Sequence, residues 1–325
     1  MSIEAQTALA PRAHVVQFYA DDAELVRTVC AYIGDALSDE AVAIVVATDE
    51  HVKAFEAALV ARGIDVVQAR ARDRLVVLDA DDTLAKLVTR QGLRRDAFDL
   101  AVGDVVREAS KSGRRVRAYG EMVALLWDRG DVTGALELEM LWNALGIEVA
   151  FSLLCAYPAS SMLDPQHIDA CHRVCELHSG IVESHADIGK RAIGSGGNEA
   201  SRAFKRGPDA PYAARRFVIA ALEELGIPDL IDAAACVVSE LATNAVVHAA
   251  SDFVVGVSFR NATVRISVRD SSVVPPTERV SSSTATRGRG IAMIAALSTD
   301  WGVERASAGK EVWAELRCSS AALNP

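Results

Sequence analysis

Apolar and polar residues follow two alternating periods in the first half of the chain. Short runs rich in β-branched residues predict buried strands at VVQFY, AVAIVVAT, RLVVLDA, RRVRAY and VAFSLLCAY. Between these runs, apolar residues recur every three or four positions in residues 23–35, 51–62 and 96–110, which predicts amphipathic helices. Strands and helices in alternation predict a doubly wound, mostly parallel α/β sheet, closed by a further helix at residues 165–186.

The apolar period stops after this helix. The stretch IGSGGNEASRAFKRGPDAP is rich in Gly, Ser, Asn and Pro, which predicts a linker over residues 187–210. The first domain is therefore expected to cover residues 13–186, and the second residues 211–318.

The second domain has a different order of elements. Helices are predicted at residues 212–225 and 231–248, and the strands FVVGVSF and TVRISVRD form a hairpin across RNA. A short helix after Gly290 and the strands WGVER and EVWAELR complete the domain. Helices grouped against paired strands predict an α+β sandwich with the helices on one face of the sheet.

Composition and charge limit the function classes. The chain of 325 residues has a net charge of -10, with 19 basic and 30 acidic side chains in residues 1–190 and 15 and 14 in residues 191–325. Neither part has the basic surplus that phosphate backbones require, so direct nucleic-acid binding is disfavoured. We find no apolar run approaching a membrane span of about 20 residues and no signal-peptide pattern, so we expect a cytoplasmic protein without a membrane contact. Its six cysteines are expected to be mostly free thiols.

Polar residues recur on one face of the predicted helix VVSELATNAVVHA. Glu240, Asn244 and His248 stand at i, i+4 and i+8. The Asn244 side-chain oxygen suits Mg²⁺, and Glu240, one turn earlier, suits a general base near a γ-phosphate. Solvated helix faces also carry such residues without function, and His248 is equally suited to a structural role at the helix end.

Two further segments offer nucleotide contacts. Asp270 ends a predicted strand, where its carboxylate can accept from an adenine amine. The stretch RGRGIAMI places Gly288, Arg289 and Gly290 at the start of a helix, where free N–H groups suit phosphate.

The order of these motifs resembles the Bergerat-type ATPase superfamily, and more closely the anti-sigma serine kinases, over residues 213–318. The resemblance is carried by VVSELATNAVVHA, VRISVRDSS, GRGIAMIAALSTDWGVE and GKEVWAEL. It implies ATP and Mg²⁺ as cofactors, with Mg²⁺ on Asn244, adenine on Asp270, and phosphates over Gly288 and Gly290. It also implies that Glu240 activates a serine of a partner protein.

The loop after Asp270 departs from that superfamily. Where glycines usually let the chain pass close to the nucleotide, this sequence has DSSVVPP, with Pro275 and Pro276 stiffening the loop. A domain that binds nucleotide poorly and only sequesters its partner is therefore the alternative. SSSTAT, residues 281–286, is expected to be a mobile lid, and Lys310 is interpreted as structural.

The first domain lacks a phosphate-binding loop. AVAIVVATDEH is followed by no Gly-x-x-x-x-Gly-Lys-Ser/Thr, so we expect a RecA-like sheet without a P-loop. The motifs H-x4-Y, GEMV, CAYP and C-x6-HS resemble the MEDS sensory domain, which implies a small-molecule signal of unknown identity. The candidate ligand residues are His14, Tyr19, Glu121, Cys155, Cys171, Cys175 and His178.

Two of these candidates have open alternatives. Cys171, Cys175 and His178 fall at i, i+4 and i+7 of one predicted helix face, with Cys155 as a further partner, so the group either binds a metal or fills an apolar interface. Glu121, at the carboxyl end of a strand, is either a ligand contact or the partner of a nearby arginine, Arg115 or Arg117.

The sequence as a whole predicts a signalling regulator that senses a small molecule and acts on a sigma factor or its antagonist. The rival hypothesis is a non-catalytic switch that sequesters a partner. A sensor histidine kinase is a weaker third hypothesis, with His178 and His185 as candidate phosphoacceptors. Relatives of the second domain tend to dimerise, so a homodimer is expected.

Overall fold

The computed structural model describes residues 12–90, 92–162, 166–182, 192–193, 198–272, 289–306 and 309–318. The chain divides into two compact units, Met1–Ser184 and His185–Pro325. Each unit has its own sheet.

The first unit is built on a six-stranded parallel sheet. Its order is β3-β2-β6-β7-β1-β8, and helices alternate with the strands, as the sequence predicts. The strands are β1 (His14–Tyr19), β2 (Val42–Ala47), β3 (Leu75–Asp79), β6 (Val116–Gly120), β7 (Ser152–Pro158) and β8 (Gly180–Val182), with a small hairpin of β4 (Val88–Thr89) and β5 (Gly92–Leu93). The helices are α1 (Asp22–Ser38), α2 (Asp49–Ala61), α3 (Val66–Ala71), α4 (Ala80–Leu87), α5 (Arg95–Phe98), α6 (Asp104–Lys111), α7 (Met122–Asp128), α8 (Val132–Glu148), α9 (Ala159–Met162) and α10 (Ile168–Leu177), with a π-helical turn, Asp99–Gly103, between α5 and α6.

The prediction of a helix over residues 165–186 is wrong at the carboxyl end of that range. Helix α10 stops at Leu177, and His178 is already extended, with φ -106° and ψ 144°. The Ser179 amide donates to the carbonyl of His14 at 2.7 Å. The edge of β1 thus offers backbone partners, which turns the apolar residues that follow into β8 instead of another helical turn.

The second unit is an antiparallel sheet with helices. Its order is β13-β14-β12-β11-β10-β9, which agrees with the predicted α+β class. The strands are β9 (Ala192–Ile193), β10 (Glu199–Phe204), β11 (Phe253–Arg260), β12 (Thr263–Asp270), β13 (Asp300–Ala306) and β14 (Gly309–Arg317). The helices are α11 (Ala210–Glu224), α12 (Ile231–Asn244) and α13 (Arg289–Leu297), with a 3-10 turn, Pro228–Leu230, before α12 and a π-helical turn, Ala245–Ala249, after it.

The predicted hairpin across RNA is present. Arg260 pairs with Thr263, and both loop residues have positive φ, 50° at Asn261 and 60° at Ala262. Such backbone angles match the twist of a two-residue hairpin, which fixes the register of β11 on β12.

Part of the predicted linker is a strand. Residues 199–204 form β10, which pairs with β11 along its whole length, from Glu199 opposite Ser258 to Phe204 opposite Phe253. The Phe204 and Phe253 rings stack at 5.4 Å, so burial of an aromatic pair holds this polar segment on the sheet. The second compact unit therefore takes in residues that the prediction assigned to the linker.

Among the described residues, one helical segment is long and apolar enough to span a membrane. This segment, Pro228–Ala249, is 50% buried inside the domain over its most apolar window. Such burial is typical of the central helix of a folded domain, and α12 packs on β12 and β14 of its own sheet.

Gly309 opens β14 in a conformation that only glycine adopts readily, with φ +127°. A Cβ there would collide with the carbonyl oxygen of Asp270 on β12. We expect Gly309→Ala to lower the free energy of unfolding by about 1 to 3 kcal/mol from backbone strain alone, and by more through the collision. Hydrogen exchange of the β12 and β14 amides measures the loss.

Gly226→Ala is the matched control. Gly226 also has a positive φ, +69°, but a Cβ there meets no atom within 4 Å. Its substitution carries only the strain, so equal losses for the two variants would contradict the proposed collision at Gly309.

Candidate functional sites

Helix α12 separates buried from polar residues as the sequence predicts. Val237, Val238 and Leu241 are buried against the sheet, while Glu240 and Asn244 lie half-buried on another face. The helix continues into the π-helical turn that ends at Ala249, and His248 is exposed there. The predicted nucleotide residues therefore stand one turn apart on a face that the domain core does not cover.

Asp270 ends β12 as a buried residue, 5% exposed. Its Oδ1 accepts from Lys310 Nζ at 3.0 Å and from the Ser272 amide at 2.8 Å. Lys310 lies directly opposite on β14 and is 8% exposed, so the two charges form a buried ion pair. This pair gives Lys310 the structural role that the sequence predicts.

Some of the remaining candidate nucleotide-binding residues lie within the described part of the chain, and others lie outside it. Arg289 and Gly290 begin α13, as predicted for a helix start, and Gly288 lies outside the described residues. The predicted lid, residues 281–286, and the two prolines of DSSVVPP also lie outside them.

Glu121 occupies the carboxyl edge of the parallel sheet in the first unit. It follows β6 directly and is 4% exposed. Its carboxylate accepts from the Thr48 amide at 2.5 Å, from Tyr119 Oη at 3.1 Å, and contacts His51 Nδ1 at 2.7 Å. Thr48 follows β2 and caps α2, so two adjacent strand ends and one helix start converge on this carboxylate.

The charges at this edge are coupled. The hydrogen bond that His51 donates to Glu121 raises the pKa of His51, against the opposing effect of burial. Burial, followed by the charge of Glu121, raises the pKa of Tyr19, which ends β1. The predicted candidates Tyr19 and Glu121 thus share one strand edge, which is where parallel sheets bind ligands.

The alternative of an arginine partner for Glu121 is wrong. Arg115 bonds to Asp39 at 3.1 Å, and Arg117 donates to the Tyr32 carbonyl at 3.2 Å. Arg115 and Arg117 precede Glu121 by six and four residues along an extended strand, so Glu121 takes its partners at the carboxyl end of β6 instead.

We expect the His51–Glu121 pair to make stability depend on pH. The folded-state pKa of His51 lies above its ordinary value of 6.5, so its contribution is full below that value and is lost as pH rises through the folded pKa. His51→Gln should therefore cost about 1.5 to 3 kcal/mol at about pH 5.5 and less at about pH 9. Urea unfolding of both proteins at both pH values measures the gap, and a gap that does not change with pH would count against the charged pair.

Four buried side chains form a second group in the first unit, called the inner cluster here: His14, Glu139, Cys155 and His178. Their facing atoms, His14 Nε2, Glu139 Oε2, Cys155 Sγ and His178 Nε2, lie within 4.8 Å of one another. His14 begins β1 and Cys155 lies on the same face of the neighbouring β7, because Val16 pairs with Cys155. Glu139 comes from α8, and His178 follows α10.

Outer contacts fix the orientation of each inner-cluster side chain. His14 Nδ1 contacts Asn143 Oδ1 at 3.0 Å, and Asn143 Nδ2 donates to the Leu177 carbonyl at 2.9 Å. His178 Nδ1 lies 2.6 Å from the Val174 carbonyl, and Glu139 Oε1 accepts from Tyr157 Oη at 2.8 Å. The second ring nitrogens and Oε2 therefore all face inward.

Burial shifts the pKa values of the inner-cluster residues. Burial lowers the pKa of His178 to about 4, although Glu139 opposes the shift. Burial raises the pKa of Glu139, but His178 and His14 outweigh it and leave the pKa below its usual range. Burial, then Glu139, raises the pKa of the Cys155 thiol well above its ordinary value.

Cys171 and Cys175 were predicted to form one group with His178, but they are not part of the inner cluster. Both cysteines are buried on α10, but the group that converges on Cys155 and His178 contains His14 and Glu139 instead. The helix ends before His178, so the i, i+7 relation does not place its ring on the face of the cysteines.

The inner cluster also bears on the histidine-kinase hypothesis. The His178 side chain has no exposed surface, so it is not available to a kinase as a phosphoacceptor. His185 lies outside the described residues.

His51 was not among the predicted site residues, and Glu139, although it stands out in the sequence as a distinctive polar residue, was not among the candidate ligands. Glu139 stands on the buried stripe of α8 with Ala135, Leu138 and Trp142, so a carboxylate at an apolar position was the available signal. His51 shows no such signal, because it lies in the first turn of an ordinary amphipathic helix.

A small pocket opens beside the inner cluster. It has a volume of about 200 Å³ and is lined by His14, Asn143, Trp142, Ile147, Phe151 and Leu153 with Arg12, Ala13 and Gly146. The lining is mostly apolar and reaches two polar side chains that belong to or orient the inner cluster, which is the usual composition of a small-ligand pocket.

The two units match two families. Residues 13–174 match MEDS, the MEthanogen/methylotroph, DcmR Sensory domain, and residues 205–316 match the Histidine kinase-like ATPase domain. No curated protein matches the chain. The chain is therefore a sensory domain joined to a kinase-like ATPase domain, the composition of a signalling regulator. More particularly, it carries a MEDS domain followed by a histidine kinase-like ATPase domain, as the sequence motifs predicted.

Proposed function

We infer that the second domain binds Mg·ATP and acts as an anti-sigma-type protein-serine kinase under the control of the first domain. The observation that carries this proposal is the polar face of α12. Glu240 and Asn244 lie one turn apart on it, and the same helix packs on β12, which ends at the buried Asp270. An ATPase family match over residues 205–316 supports nucleotide as the ligand.

The proposed roles follow from the chemistry of these side chains. Asn244 would supply a neutral side-chain oxygen to Mg²⁺, an ion that prefers oxygen ligands and would neutralise phosphate charge. Glu240 accepts the proton of a partner serine as the γ-phosphoryl group is transferred. Lys310 and the Ser272 amide both donate to Oδ1 of Asp270, and we assign Oδ2 to the adenine amine.

A non-catalytic switch is the second candidate. The specific observation in its favour is that Asp270 already accepts hydrogen bonds from Lys310 and Ser272. These two donors compete with the adenine amine for the carboxylate. The glycine-poor sequence DSSVVPP favours it as well. In this case the domain captures a sigma factor or an antagonist without transferring phosphate.

The first domain is proposed to receive a small-molecule signal. Two places suit one: the strand edge at Glu121 and Tyr19, and the pocket beside His14. The pocket volume of about 200 Å³ favours a molecule of a few heavy atoms.

Transfer of label from γ-³²P-ATP tests the kinase proposal. The full chain is incubated with Mg²⁺ and purified sigma-factor antagonists that offer a serine acceptor, and a second reaction contains EDTA. Label on serine that needs Mg²⁺ supports the kinase. Capture of a sigma factor or antagonist without label supports the switch, and neither label nor capture would contradict both proposals.

A further inference from the structure

We propose that the inner cluster is a closed, four-coordinate site for a divalent transition-metal ion of the Zn²⁺ type. The ligands are His14 Nε2, Glu139 Oε2, Cys155 Sγ and His178 Nε2. The inference concerns the first domain alone and does not depend on nucleotide binding by the second.

Four of the six distances between the ligand atoms are those of a tetrahedral site, and all six lie within 4.8 Å. His14 Nε2 lies 3.2 Å from Glu139 Oε2 and 3.3 Å from Cys155 Sγ. Glu139 Oε2 lies 3.4 Å from Cys155 Sγ and 3.5 Å from His178 Nε2. Zinc bond lengths of about 2.0 to 2.3 Å give tetrahedral edges of about 3.3 to 3.8 Å, so the ligands need little movement to enclose an ion.

The hydrogen-bond pattern leaves electron pairs facing one another. Asn143 donates through Nδ2 to the Leu177 carbonyl, so its Oδ1 accepts from His14 Nδ1 and leaves the His14 Nε2 lone pair inward. The Val174 carbonyl likewise takes the Nδ1 proton of His178. Two imidazole lone pairs and one carboxylate oxygen therefore meet the single thiol of Cys155.

The buried His178 side chain carries an unsatisfied polar atom. Its side chain is fully buried, and its Nε2 has no hydrogen-bond partner among the described residues. A buried polar nitrogen without a partner is costly, and a metal ion at the centre satisfies it together with the other three ligand atoms.

The charges also balance with an ion in place. Binding displaces the thiol proton of Cys155 to solvent, and the thiolate and the Glu139 carboxylate together carry two negative charges. Two neutral imidazoles add none, so a divalent cation gives a neutral group, which suits a site whose four residues are all buried.

The surroundings meet the further requirements of a metal site. Asn143, Val174 and Tyr157 orient the ligands from outside in the manner of partners that hold metal-binding histidines and carboxylates. The pocket of about 200 Å³ reaches the His14 side and provides an entry path.

The ligand types select the ion. Imidazole and thiolate ligands suit Zn²⁺, Co²⁺ and Fe²⁺, whereas Mg²⁺ and Ca²⁺ require oxygen ligands. The ion would join β1, β7 and α8 to the segment that carries His178, and this segment leads along the chain into β8 and onward to the second domain.

Cobalt substitution of the full, tag-free chain tests the site. The protein is stripped with a chelator and titrated with Co²⁺, and the metal content of unstripped protein is measured by mass spectrometry. We expect one ion per chain, a thiolate-to-cobalt charge-transfer band in the near ultraviolet, and strong visible bands of tetrahedral cobalt. Wild-type protein that binds no stoichiometric metal and shows neither band would overturn the proposal.

Variants separate this cluster from other thiols. Cys155→Ser should abolish the charge-transfer band, whereas Cys171→Ser, which removes a buried thiol outside the cluster, should keep it. Asn143→Ala should lower Zn²⁺ affinity about 10- to 100-fold in competition with a chromophoric chelator, because the orientation of His14 is lost. Retention of the band in Cys155→Ser, or its loss in folded Cys171→Ser, would contradict the assignment.

The test of the metal site remains decisive even if a variant fails to fold. Circular dichroism establishes whether each variant is folded, and the wild-type spectrum alone decides whether a thiolate-bound tetrahedral ion is present. A network held only by protons, with an imidazolium of His14 against Glu139, predicts a wild-type chain without either cobalt band.

Discussion

Glu240→Gln is expected to slow phosphoryl transfer by about 100- to 10,000-fold, the usual contribution of a positioned general base. The amide has the shape of the carboxylate but cannot accept the proton of a partner serine. Because Glu240 lies one helical turn from Asn244, nucleotide binding should change little. Initial rates of label transfer from γ-³²P-ATP, with nucleotide affinity measured in parallel, separate the two effects.

Glu223→Gln is the matched control for this variant. Glu223 is exposed on α11 of the same domain, so the substitution makes the same charge change away from the polar face of α12. Equal transfer rates for wild type and Glu240→Gln would remove Glu240 from the proposed mechanism, and a loss in Glu223→Gln would point to net charge instead.

Lys310→Met is expected to destabilise the second domain by about 3 to 5 kcal/mol. The substitution leaves the Asp270 carboxylate buried without its cation, and an uncompensated buried charge is the costly state. Hydrogen exchange of the most protected β12 and β14 amides should accelerate by about two orders of magnitude or more. Unchanged exchange would show that the ion pair contributes nothing to the sheet.

The double variant Asp270→Asn with Lys310→Met distinguishes structure from nucleotide recognition. With both charges removed, most of the lost stability should return, because the pair is replaced by neutral side chains of similar size. ATP affinity should stay low, since the proposed acceptor for the adenine amine is gone. Recovery of both properties would contradict the role assigned to Asp270.

The architecture of both domains could be predicted from apolar periodicity. Buried parallel strands such as β2, all six residues of which are buried, produce continuous apolar runs, and α12 shows its core face at every third or fourth residue. The hairpin across RNA was also predictable, because two-residue loops between alternating strands are a local signal.

Elements that depend on distant partners could not be predicted in the same way. Strand β10 has a polar sequence and exists because β11 offers it backbone partners and Phe253 packs on Phe204. Residues 180–182 turn into β8 for a similar reason, since the free edge of β1 lies beside them only after the sheet has formed. The secondary-structure propensity of a local sequence does not reflect contacts with distant strands, so these two strands could not be predicted from it.

The sites were predictable to different degrees. The sequence marked His14, Cys155 and His178 as unusual residues, but their assembly with Glu139 depends on the register of β1 on β7 and on the end of α10. His51 was missed because its relation to Glu121 links residues 70 positions apart.

Calorimetric titration of Mg·ATP into the full chain, with Asn244→Ala beside it, tests the central claim most directly. Asp232→Ala is the control on the same helix, exposed and about 18 Å away along its axis. The account predicts that wild type and Asp232→Ala bind one nucleotide per chain and that Asn244→Ala does not bind measurably. No binding by folded wild-type protein, or undiminished binding by Asn244→Ala, would contradict it.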